Sequence, residues 1–153
     1  MTHPLELKQA AFDFCKSMIL KRIQTIEAVL LSLEESRSNE SKSSVGDKYE
    51  TGRTMLQLEE EKNKTQLLEA LAAKSVLESV QLGKPSEQVS LGSFICTNTG
   101  NYFIAIGVGK IHLDGEIIYG ISLDSPIGQA LKQKRAGEEV IFNNRRIEIQ
   151  AIF

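Results

Sequence analysis

The chain has 153 residues and a formal net charge of −2 at pH 7, with 25% charged and 41% hydrophobic residues. These balances exclude bulk disorder and collagen-like structure, and they leave no overall basic footprint for gripping free nucleic acid. No apolar run approaches the ~18 residues of a membrane span, and the first residues show no secretory pattern. Two cysteines (Cys15 and Cys96) without a Cys-x-x-Cys motif suit a reducing cytoplasm. That cysteine spacing excludes thiolate zinc sites, and with only His3 and His112 as histidines a multi-histidine metal centre is hard to build.

Residues 1–82 read as a helical region. Pro4 is the only proline before Pro85, so nothing in between must break a long helix. Ile19, Ile23, Ile26, Leu30 and Leu33 step by four and three alternately, the 3.5-residue mean period of a coiled-coil seam. The serine-rich stretch from Ser36 to Gly46 predicts a loop or frayed turn, because serine and asparagine compete for backbone hydrogen bonds. Helical character resumes at Asp47 and runs through Leu56, Leu67, Leu71 and Val76. Its middle, from Glu59 to Gln66, carries no apolar residue, and Glu60 and Lys64 stand at i, i+4. Two such helices joined by a short polar segment predict an antiparallel hairpin.

Residues 83–86, Gly83-Lys84-Pro85-Ser86, predict a linker. Beyond it, residues 87–153 change to short β-rich runs. Strands are expected over Val89–Cys96, Tyr102–Ile106, Ile117–Ile121, Val140–Phe142 and Ile147–Ile149. Asn143-Asn144 is a turn pair that tolerates positive φ, and Ser125-Pro126 is an N-cap followed by proline at the first helical position. The prediction is an α+β chain whose second half is a small antiparallel sheet with one helix. No aromatic-lined pocket is visible in that half, and His112 reads as a strand or loop residue.

These residues resemble the Gre transcript-cleavage factors of bacterial RNA polymerase. In the second half the resemblance lies in Leu91-Gly92-Ser93, Gly120-Ile121-Ser122, Ser125-Pro126-Ile127-Gly128-Gln129-Ala130-Leu131 and Gly137-Glu138-Glu139-Val140. Their order is similar to that of the family's FKBP-like domain. In the first half, Gly46-Asp47-Lys48-Tyr49-Glu50 resembles the acidic tip of the family's coiled coil. The resemblance implies a transcription elongation factor that binds RNA polymerase through the second half, with Ser125 and Pro126 near the docking surface. It implies a tip that enters the polymerase's secondary channel, contacts nascent RNA only indirectly, and stimulates cleavage of backtracked transcripts. By the same resemblance Asp47 and Glu50 assist a magnesium ion shared with the polymerase. The chain alone then binds no cofactor and is not an enzyme.

Without any family, Asp47 and Glu50 form an Asp-x-x-Glu pattern close to a capping box at the start of a helix. That role is compatible with chemistry, because magnesium takes hard oxygen ligands and one or two added carboxylates can recruit it. Glu34, Glu35 and Glu40 add acidity nearby and read as a solvated face, while Lys48 and Arg53 are placed to contact RNA phosphate or screen the carboxylates. After Glu50 the chain runs Thr51-Gly52-Arg53, where the family tip carries Asn-Ala-Glu-Tyr. A non-cleaving regulator of the same channel is therefore an alternative function. A third is a peptide-binding or prolyl-isomerase module with a helical arm.

Overall fold

Isoleucine at four- and three-residue intervals makes one side of a helix apolar, and burial follows that stripe. Helix α1 spans Pro4–Lys42 and helix α2 spans Gly46–Glu78. The protein's structure is a computed structural model that describes residues 3–42 and 46–153, with side chains described outside 40–51. The chain divides into two compact units, residues 19–74, and residues 1–18 with 75–153.

In the helical unit, Ile19, Ile23 and Ile26 are buried, Leu30 and Leu33 half-buried, and Arg37 takes the next seam position. On α2 the matching positions are Leu56, Asn63 and Ala70 at seven-residue intervals, with Glu60, Leu67 and Lys74 four residues after each. All six are buried or half-buried. The polar middle of α2 is thus part of its packing stripe. Asn63 is only 6% exposed, and its amide donates to the Glu59 carbonyl at 2.8 Å and to the Glu59 carboxylate at 3.3 Å. Glu60 accepts from Arg37 of α1 at 2.8 Å and from Lys64 at 3.0 Å. The hydrogen bond from Lys64, with the Arg37 charge beside it, holds the Glu60 carboxyl below its ordinary value.

The predicted loop over Ser36 to Gly46 is corrected. Helix α1 continues to Lys42 and α2 already begins at Gly46. The physical reason is Arg37, which lies in the seam and is anchored to α2, so tertiary contact outweighs the weak helix preference of serine. A second cross-helix ion pair, Arg22–Glu69 at 4.0 Å, joins residues in the reverse order to Arg37–Glu60.

In the other unit six strands form one sheet: β1 (Phe94–Thr97), β2 (Gly100–Ala105), β3 (Gly109–Leu113), β4 (Glu116–Ser122), β5 (Glu139–Phe142) and β6 (Arg145–Ile152). Their order is β3-β4-β2-β1-β6-β5, and a short helix α3 (Pro126–Leu131) follows β4. The expected antiparallel sheet is corrected to a mixed one, because β2 and β4 pair in parallel. The reason is the unpredicted β3. After β2 the chain reverses twice, and Asp114-Gly115 at φ 50° and 78° closes the β3–β4 hairpin. Two reversals return β4 to the direction of β2, and β4 occupies the seat beside it. Val108, on the crossing, donates its N–H to the Gly120 carbonyl at 3.1 Å. A Cβ at Gly120 would collide with the Val108 side chain, so this position accepts only glycine.

Both faces of the sheet carry buried side chains, while the side of β5 and β6 that bears Ile141, Arg146 and Glu148 is exposed. Ile95, Tyr102, Ile104, Ile147 and Ile149 pack with Val89 and with Leu131 of α3. Phe94, Phe103, Ile111 and Ile118 fill the opposite face. The same unit buries Leu7, Ala11 and Cys15 of α1 and Leu77 of α2, and Lys8, 3% exposed, donates to the Leu82 carbonyl at 3.4 Å. Neither cysteine is paired.

Burial pushes the Cys15 thiol up to about 11. At pH 8 the reactive thiolate is then about one part in a thousand. Alkylation of native protein with iodoacetamide at that pH is expected to leave Cys15 unmodified, as read by peptide mass spectrometry. In denaturant the same residue reacts fully. Rapid native labelling of Cys15 would contradict its burial.

Candidate functional site

Three places bear on function. At the first, the backbone of Asp47 and Glu50 belongs to the opening turns of α2, three positions apart. Their side chains, with those of Glu40 and Lys48, lie outside the described residues. Among the described residues no group of three or more His, Cys, Asp or Glu side chains could hold a metal ion. Two carboxylates three positions apart are a donor set of the right chemistry for magnesium, which is satisfied by one or two protein oxygens when other ligands are supplied elsewhere. Glu34 and Glu35 are exposed on α1.

The second is the Ser125–Pro126 segment. Ser125 sits in extended backbone, its hydroxyl accepts the Gly128 N–H at 3.1 Å, and Pro126 opens α3. The same hydroxyl donates to the Ser122 carbonyl at 2.7 Å, tying the helix start to the end of β4. Pro126 is exposed and Ser125 half-buried. Gly128 is buried, and a Cβ there would collide with the Ser122 and Leu123 carbonyls. The segment is therefore rigid: a capped turn of helix pressed onto a strand end, with one proline ring presented outward. The basic residues Lys132, Lys134 and Arg135 fall just beyond the helix, and Arg135 pairs with Glu87 at 3.1 Å.

The third was not anticipated. A cleft of about 490 Å³ opens on the α3 side of the sheet, which corrects the expectation that this half lacks an aromatic-lined pocket. Tyr102 of β2 and Tyr119 of β4 form its aromatic base, with ring centroids 5.4 Å apart and planes inclined by 30°. Ile127 of α3 and Ile147 of β6 add apolar walls, and Phe142, Asn143 and Arg145 of the β5–β6 hairpin line the rest with Thr99 and Ile121. The hairpin turn is the predicted Asn143-Asn144 pair, at φ 51° and 62°. Sequence reasoning missed the cleft because its aromatic residues come from three strands far apart in the chain. The signal available was their placement, one per strand, always on the face shared with Ile95 and Ile104.

The hydroxyls at the base form a chain. Thr97 Oγ1 donates to the Gly100 carbonyl at 2.7 Å and accepts the Thr99 N–H at 3.1 Å. The Thr99 hydroxyl lies 3.2 Å from that of Thr97 and 3.1 Å from that of Tyr102. His112, on edge strand β3, is exposed and pairs with Ile117, two residues before Tyr119 on β4, and it does not line the cleft.

No family model matches this chain, and no curated protein or solved structure shows significant similarity to it. No helix among the described residues is long and apolar enough to cross a membrane.

Two substitutions separate the cap from the close approach in the α3 segment. Ser125→Ala removes one cap bond and is expected to lower stability by about 1 kcal/mol. Gly128→Ala forces backbone apart and is expected to cost about 2–3 kcal/mol, measured by urea unfolding. Equal, small effects would contradict the tight packing of α3 on β4.

Proposed function

We propose that this chain is a Gre-like transcription factor: an antiparallel helical hairpin whose acidic turn acts inside RNA polymerase, and an FKBP-like sheet domain that docks on the polymerase through Ser125 and Pro126. The observation that carries this reading is the pair of cross-helix ion pairs. Arg22–Glu69 and Arg37–Glu60 join α1 to α2 in reverse order and close toward the start of α2, where Asp47 and Glu50 stand. A long two-helix element with carboxylates at its turn is suited to carrying acidic ligands into a narrow channel. The charge of −2 fits a partner that is a protein rather than free nucleic acid.

In this reading the chain is not itself an enzyme. Asp47 and Glu50 would add hard oxygen ligands to a magnesium ion at the polymerase's own active site. When bound there, that ion would act with the polymerase's own in two-metal phosphodiester hydrolysis, in which one ion activates water and the other stabilises the leaving oxygen. The residues of this chain bind and position: the seam with its Arg37–Glu60 bridge keeps α1 and α2 in register, and the capped, glycine-tight α3 start gives the docking surface a fixed shape. The setting this implies is the bacterial cytoplasm.

The test uses a backtracked polymerase complex and the full chain. Wild type is expected to shorten the stalled RNA. Asp47→Asn and Glu50→Gln are expected to cut that rate by at least about tenfold while binding polymerase equally well, since each amide keeps the shape and loses the charge. Undiminished cleavage by both variants would refute the metal-assisting role. Polymerase binding without any cleavage by wild type would replace it with the non-cleaving regulator.

A further inference from the structure

We infer that the cleft beside α3 is a binding site for a small aromatic anion, distinct from the acidic turn of α2 and independent of the function proposed above. Its volume of about 490 Å³ lies within the range of small-molecule sites. The base is a tilted tyrosine pair in which Tyr102 is buried and Tyr119 half-buried, so a flat ring stacks on Tyr119. Ile127 and Phe142 close the sides, so the space takes a compact molecule with an apolar body.

Charge comes from one residue. The β5–β6 ladder places Phe142 opposite Arg145 and Val140 opposite Ile147, which puts Arg145 on the cleft side. The alternate positions, Glu139, Arg146 and Glu148, share the other side, where Arg146 is bound to Glu139. The hairpin thereby sorts its acids away from the cleft. Arg145 is the only charged residue lining it and makes no hydrogen bond or ion pair among the described residues. A guanidinium with free donors at the edge of an apolar cleft recognises a carboxylate or sulfonate.

The probe that fits this description is anilinonaphthalene sulfonate, which has fused rings and one anionic group. Titrated into the full chain, it is expected to bind at one site with Kd of about 10–100 μM, and to shift backbone amide resonances of Tyr102, Tyr119 and Phe142. Arg145→Gln is expected to weaken it about fivefold or more, whereas Arg146→Gln, which removes the same charge from the opposite side, leaves it within about twofold. The uncharged analogue phenyl-naphthylamine is expected to bind wild type and Arg145→Gln alike. Thermal unfolding of each variant confirms that it is folded. Shifts located elsewhere, no binding, or equal losses in the two arginine variants would overturn the inference. So would cleft shifts produced by proline-containing peptides and not by the dye, which would make the site a peptide groove.

Discussion

The helical unit depends on one polar layer set into an apolar seam. An uninterrupted stripe of isoleucine and leucine can slide by a heptad with little loss, because every register offers similar apolar contacts. Arg37 and Glu60 remove that freedom, since a shift would leave the Glu60 carboxylate without its cross-helix partner. Asn63, buried one turn further along the same stripe, is satisfied within α2 by Glu59 and makes the stripe polar at a second position. Such polar positions lower stability relative to an all-apolar seam and give a defined register in return. Whatever the start of α2 does, it does at a position set by this layer.

The sheet unit is governed by close backbone approach rather than by charge. Gly120 lets the chain cross beside β4, and Gly128 lets α3 lie on the end of that strand. With these contacts made, Ile127 faces the tyrosines of β2 and β4, and the β5–β6 hairpin bounds the space that remains. The cleft is therefore a consequence of how α3 is held. A rigid capped turn on one side and a tight hairpin on the other give a preformed site with little conformational entropy to lose on binding.

Much of this was legible in the residues themselves. The α1 seam followed from Ile19, Ile23 and Ile26, the hairpin turn from Asn143-Asn144, and the helix start from Ser125-Pro126, because each signal is local. Strand β3 was missed because Lys110 and His112 flank a single buried Ile111, although Asp114-Gly115 marked the turn that follows it. Missing that strand concealed the parallel β2–β4 pair. The helix through Ser36 is held by the Arg37–Glu60 contact, whose partners lie 23 residues apart, which no local preference reports. The cleft joins residues from Thr99 to Ile147 and could be read only once the register was known. Asp47 and Glu50 are the reverse case: they stand out in the sequence, and the function proposed for them rests on a partner.

In the function proposed above, α1 and α2 deliver carboxylates to a reaction centre that belongs to another protein. The most direct test places a photo-activatable cross-linking residue at position 51, beside Glu50, in the full chain and mixes it with RNA polymerase. The account predicts cross-links to polymerase peptides that surround its catalytic magnesium, formed most strongly on backtracked complexes. Cross-links confined to the outer surface of polymerase, or none while the protein remains bound, would contradict it.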